Sequence, residues 1–162
     1  MSDWRPMDAA DVPQVSAIAA KVHPGFFEDD AVFAERRILA PEGCWICEGN
    51  DGALGYVLSH PWTLAAPPAL NSPLESLPGA PDTFYIHDLA LLPAARGTGA
   101  AGKIIKTLIG AAAPYPTMSL VAVNGSIPFW SRFGFAVAER PDLAGKLSSY
   151  DASARLMVRQ RA

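Results

Sequence analysis

Apolar residues follow two spacings along this chain, and each spacing predicts a different element. From Val12 they recur at Val15, Ile18, Ala19 and Val22, the buried stripe of a helix running through Lys21. Asp8 or Asp11 can cap it, and His23-Pro24-Gly25 breaks it. A second helix is predicted from Glu28-Asp29-Asp30 to about Leu39. Acids sit at its start and Arg36 and Arg37 near its end, as the helix dipole favours. Pro41 and Gly43 stop it. Trp4 to Pro6 can form a short first strand. Cys44–Glu48 and Ala53–His60 read as two further strands, joined by the hairpin signal Gly49-Asn50-Asp51-Gly52.

The second half begins with an apolar strand from Phe84, bounded by Pro93. Ile104, Ile105, Leu108 and Ile109 then share one helical face, with Lys103 and Lys106 off it. Met118–Val123 is the next strand. IPFWSRF is a short helix closed by Gly134, and Phe135–Glu139 returns as a strand. Pro141 to Ser153 is polar and shows no clear element. Ala154–Arg161 alternates as a last strand. The expectation is an α/β (α+β) fold, with a mixed, mostly antiparallel central sheet flanked by helices. Between the third and central strands, Pro61 to Pro81 holds six prolines and no period. A long structureless excursion inside a compact domain is either a functional lid or a stiffened surface loop.

Composition narrows the function classes. The 162 residues suggest one domain, 1–162, with a real core, and 50% of them are hydrophobic. A net charge of −3 argues against a nucleic-acid partner held by overall basicity. No stretch approaches a membrane span, and the polar start MSDWRPMD is unlike a signal peptide, so a cytoplasmic protein is expected. Cys44 and Cys47 form C-x-x-C without a second cysteine pair for zinc and without a helix to lower a thiol pKa, so they read as packing residues. No metal is expected.

The most informative stretch is the glycine-rich turn between the central strand and its helix. Free N–H groups and the dipole at a helix N-terminus favour an anion there, and a phosphate-bearing ligand is the natural candidate. Gly97, Gly99 and Gly102 match G-x-G-x-x-G, but no Asp or Glu occurs from Leu89 through Ala138 to hold a ribose. Gly97 to Lys103 fits most of G-x-x-x-x-G-K-[ST], yet Ile104 replaces the metal-binding hydroxyl. Arg96, Gly99 and Ala101 fit R-x-x-G-x-A. The only charges across the acid-free stretch are Arg96, Lys103, Lys106 and Arg132, a cationic bed suited to a pyrophosphate.

That loop resembles the acetyl-CoA pyrophosphate loop of the GNAT superfamily of N-acetyltransferases. A second segment, Val123-Asn124-Gly125-Ser126 through Phe133-Gly134-Phe135, resembles the family's Asn-then-helix-then-G-F stretch, and the element order matches over nearly the whole chain. The resemblance implies a single GNAT-like domain that moves the acetyl group of acetyl-CoA to an amine by direct attack. It implies that Arg96, Gly97, Thr98, Gly99, Ala100 and Ala101 carry the pyrophosphate through main-chain N–H groups. Leu89 and Leu91 would pair with the pantetheine arm, Asn124 would hydrogen-bond it, and Arg132 would reach a ribose phosphate. The acceptor would be a small-molecule or peptide amine, and the protein a monomer or homodimer.

The chemistry asks for a base, since an alkyl amine near pKa 10.4 is almost wholly protonated at neutral pH. His87 and Asp88 on the central strand are the candidates. Strand alternation puts them on opposite faces, so only one is expected to face the substrate. His60 is a third candidate. Phe26 and Phe27 divide between anchoring their loop and lining a substrate mouth; Phe27 is assigned to the mouth with His60, Trp62 and Tyr85. The family's usual Tyr acid is replaced by Trp130, whose indole is no practical acid, leaving Tyr150, Tyr115, Ser126 and Ser131 as substitutes. The alternative is a CoA- or acyl-CoA-binding sensor module with little or no transfer.

Overall fold

Side-chain alternation along the middle strands sets the layering. In the computed structural model, which describes residues 3–161, the first half contains β1 (Asp3–Pro6), α1 (Val12–Val22), α2 (Asp30–Leu39), β2 (Cys44–Gly49), β3 (Gly52–Trp62) and β4 (Thr83–Leu91). The second contains α3 (Ala100–Ala111), β5 (Thr117–Ala122), α4 (Ile127–Ser131), β6 (Ala136–Val137), α5 (Ala144–Ser148) and β7 (Arg155–Gln160). Seven strands make one sheet in the order β1-β2-β3-β4-β5-β7-β6. Every neighbouring pair is antiparallel except β4 and β5, which run parallel.

Each face of the sheet has its own core. Tyr56 and Leu58 pack with Val15 and Ile18 of α1 and Phe33 of α2. Val57, between them in sequence, packs with Ile104, Ile105 and Leu108 of α3 on the other face. Burying each of these large apolar side chains is worth about 1.5–3 kcal/mol, so α3 is held by its stripe rather than by helix propensity. Trp4 of β1 also reaches α3, where its indole N–H donates to the Ala100 carbonyl at 2.9 Å. Among the described residues no helix is long and apolar enough to cross a membrane.

Most predicted elements are present, with four instructive differences. The hairpin turn is tighter than expected: β2 runs to Gly49 and β3 starts at Gly52, whose φ of 122° suits glycine. The strand expected over Phe135–Glu139 shrinks to Ala136–Val137, because Phe135 turns inward against Trp130 with ring centroids 5.6 Å apart. The stretch 141–153, in which the sequence shows no clear element, forms a 3-10 turn and α5; Leu143 and Leu147 bury themselves beside Leu156, a stripe too short to show a period. Arg36, placed near the end of α2 on the dipole argument alone, is fully buried. Cys44 and Cys47 are both buried in the sheet, and burial pushes the Cys44 thiol up to about 12.

Candidate active site

β4 and β5 are paired over only three residues each, Thr83–Tyr85 against Thr117–Ser119. Beyond that point β4 continues to Leu91 without β5, and a cleft opens through the sheet. It holds two abutting cavities, of about 740 and about 250 Å³, that share Val22, Leu89 and Trp130 as a common wall.

The larger cavity is built on backbone. Gly97 and Gly99 adopt φ of 75° and 84°, a left-handed turn that ordinary side chains resist. Nothing lies within 4 Å of where a Cβ would stand on either glycine, so the turn is open above its amides. The Thr98 hydroxyl donates to the Ala95 carbonyl at 2.6 Å and accepts from the Ala100 N–H at 3.3 Å, bracing the turn from inside. Arg96 donates its Nε–H to the Leu91 carbonyl at 3.0 Å, so its side chain locks the loop at this wall. Across the cavity the Arg132 guanidinium lies over the Phe129 ring at 5.4 Å and near Phe133 at 6.0 Å. The glycine turn, the N-terminus of α3 and a held guanidinium therefore surround one space, which fits a diphosphate-bearing ligand.

The smaller cavity is built on side chains, and a bulge shapes it. Leu58 faces Asp88 and Ser59 faces Ile86, which leaves His87 as an extra residue in β4. Phe84 and Ile86 pack with α3, whereas Ala90 packs with α1, so strand parity changes at His87. His87 and Asp88 consequently line the same cavity, which corrects the expectation that only one could face it. Residues one apart in sequence share a face only because the bulge absorbs a step.

Each of these residues belongs to an acid–imidazole pair. His87 Nε2 lies 2.7 Å from Glu28 Oε1, with both side chains at most 5% exposed. The other Glu28 oxygen accepts the Asn71 N–H at 3.0 Å. Burial alone would raise the Glu28 pKa, but His87, the Asn71 N–H and the charge of Arg36 outweigh it and hold the group below its ordinary value. Asp88 Oδ1 lies 2.8 Å from His23 Nε2, and its Oδ2 accepts the hydroxyl of buried Tyr56. Burial would lower the His23 pKa, yet Asp88 and a backbone bond with Leu89 raise it overall.

The expected acceptor residues scatter. Tyr85 lines the smaller cavity. His60 does not: it is fully buried behind Tyr85 and Trp62, with ring centroids at 5.6 and 5.3 Å. Burial holds its pKa down at about 3, and its Nε2 has no hydrogen-bond partner among the described residues. Trp62 lies under the proline-rich excursion, donating to the Ala66 carbonyl at 2.7 Å. Phe27 is 69% exposed, and its neighbour Phe26 lines the cavity instead. Leu89 sits on the shared wall, Leu91 with Ala100 and Ala101 on the larger cavity, and Asn124, at φ 55°, on the smaller. Of the substitute acids, Ser126 and Tyr150 line the smaller cavity, while Tyr115 stacks on Phe84 at 5.9 Å. Glu28 and His23 went unrecognised in the sequence, where Glu28 passed for a dipole-favoured acid and His23 for part of a helix stop.

A mixed sheet split at its parallel pair, with a glycine turn at one end of the split, is the architecture of one acyltransferase class. The model of the acetyltransferase (GNAT) family matches residues 12–135, and the chain belongs to that family. No curated protein sequence matches the chain. Solved structures match its fold throughout. The GphF GNAT-like decarboxylase in complex with isobutyryl-CoA aligns with a TM-score of 0.77 at 15% identity, covering 99% of this chain and 100% of that one. Ard1 from Thermoplasma volcanium aligns at 0.74 and 14%, covering 99% and 98%. Naa20 from Chaetomium thermophilum, in complex with a bisubstrate analogue, aligns at 0.71 and 18%, covering 98% and 86%.

Proposed function

We propose that this protein transfers the acetyl group of acetyl-CoA to an amine, with His87 as the base. The observation that carries the reading is the shared wall of the two cavities. It sets a backbone cradle for phosphates directly beside a buried, carboxylate-held imidazole. Neighbours of the same fold, bound to isobutyryl-CoA and to a bisubstrate analogue, support an acyl-CoA in the cleft.

When bound, acetyl-CoA supplies an activated thioester carbonyl. The protein's residues do the rest. The amides around Gly97 and Gly99, with Arg132, hold the phosphates. Leu89 and Leu91 line the path from that cradle, and Asn124 stands beside it at the smaller cavity. Glu28 fixes His87 through Nε2, which leaves Nδ1 as the ring's acceptor for the amine proton. Glu28, held below its ordinary pKa, then balances the imidazolium. Asp88 has both oxygens engaged by His23 and Tyr56, so it serves as an anchor rather than the base. Ser126, which lines the smaller cavity, would offer its hydroxyl to the leaving thiolate, whereas Tyr150 gives its O–H to the Pro68 carbonyl.

A thiol-release assay with acetyl-CoA and a panel of amines tests this. Turnover that falls in His87→Ala while calorimetric CoA affinity holds supports it. CoA binding with no turnover on any amine favours the sensor module.

A further inference from the structure

We propose that the acceptor is a small, largely apolar primary amine bearing no carboxylate and no second charge, and not a polypeptide N-terminus. The inference rests on the acetyl-transfer reading above and deepens it.

The first observation is a roof. The excursion between β3 and β4 is a strap pinned on both sides of the smaller cavity. On the α2 side, Asn71 donates its N–H to Glu28 and accepts the Asp29 N–H at 2.8 Å. The Leu74 and Glu75 N–H groups donate to Glu35 at 2.7 and 3.0 Å, and Arg36 donates to the Ser72 carbonyl at 3.0 Å. On the other side, Tyr150, just beyond α5, donates its hydroxyl to the Pro68 carbonyl. Leu70, between these anchors, lines the cavity beneath. An N-terminal residue must pass the rest of its chain out of the site. A strap bonded to both rims, with Leu70 over the cavity, crosses that exit and narrows it.

The second observation is charge. No Lys or Arg is among the described residues that line this cavity. Arg36 is fully buried at the strap and outside this lining; its Nη1 donates to Glu35 and Ser72, while its Nε and Nη2 have no hydrogen-bond partner among the described residues. Both Glu28 oxygens and both Asp88 oxygens already have partners on the protein. The lining thus offers no Lys or Arg to a carboxylate, and its two carboxylates are already engaged by the protein's own donors. A buried charge left unpaired is costly, so a carboxylate or a second ammonium would be rejected. Phe26, Leu70 and Val22 offer apolar contact instead.

The third is size. At about 250 Å³ the cavity falls below the ~300–1,000 Å³ typical of sites for drug-sized ligands, and the thioester must share it.

The test measures thiol release from acetyl-CoA with butylamine, phenethylamine, lysine, spermidine and short peptides with free N-termini. The expected result is a kcat/KM at least about tenfold higher for the two apolar monoamines than for any of the others. Leu70→Ala is expected to shift preference toward bulkier apolar amines while the thermal shift with CoA stays as in the parent. Faster turnover of a peptide, lysine or spermidine overturns the inference and leaves acetyl transfer standing. A thermal shift with CoA but no thiol release from any amine overturns acetyl transfer itself, and the inference with it.

Discussion

The two halves of the cleft are made of different material. The larger cavity depends on main-chain geometry at Gly97 and Gly99 and on one guanidinium parked over Phe129. The smaller depends on side chains drawn from α1, the α1–α2 loop, β4, the strap and the residues after α5. Backbone sites tolerate change in neighbouring side chains, because amides present the same donors whatever residue carries them. Side-chain sites do not, because each buried polar group there needs its own partner. A family can therefore keep one donor site while its acceptor site diverges.

Four experiments press on that contrast, from the largest effect to the smallest. His87→Ala is expected to lower kcat by ~10²- to 10³-fold, as loss of a positioned base does, with CoA affinity unchanged. Equal loss of CoA binding would erase the boundary between the halves. Gly99→Asp should do the converse. An anion placed at the phosphate cradle should weaken CoA at least ~tenfold by calorimetry, since like charges brought together cost several kcal/mol. Unchanged affinity would remove the turn from the donor site.

His60→Phe probes the buried polarity behind the acceptor half. The folded protein holds His60 neutral down to about 3, whereas the unfolded chain protonates it near 6.5. Between those values the unfolded state binds more protons, so stability is full above about 6.5 and is lost as pH falls toward 3. At pH 5 the loss is on the order of 2 kcal/mol, and His60→Phe should remove it. Denaturation midpoints with the same pH slope in variant and parent would contradict this. Arg132→Ala should have the smallest effect, a few-fold rise in the CoA dissociation constant, worth about 1 kcal/mol. Its binding should also depend less on salt than the parent's; an unchanged salt dependence would mean that Arg132 does not touch the phosphates.

The glycine turn of the larger cavity was legible because its signals are local. A glycine at positive φ, a helix start and a run without acids lie within a few residues of one another, and Gly97 to Lys103 shows all three. The smaller cavity was largely illegible because its pairs are remote. His87 and Glu28 are 59 residues apart, and nothing in the sequence near either names the other. The bulge at His87 was hidden as well. It is a property of the pairing between β3 and β4, not of the letters in β4, and it turned an expected choice between His87 and Asp88 into a shared wall. The same applies to Arg36, which the helix dipole accounted for at the end of α2 and which the strap covers.

Periodicity and turn chemistry alone were enough to specify most of the strand and helix order and the open glycine turn before α3. Those features arise from contacts close along the chain, where each residue's preference adds to its neighbours'. Which imidazole meets which carboxylate, which aromatic enters the cavity, and what covers it were settled only when distant segments packed. Burial then favoured packings in which the polar groups lining the cavity, Glu28 and Asp88 among them, found partners across space.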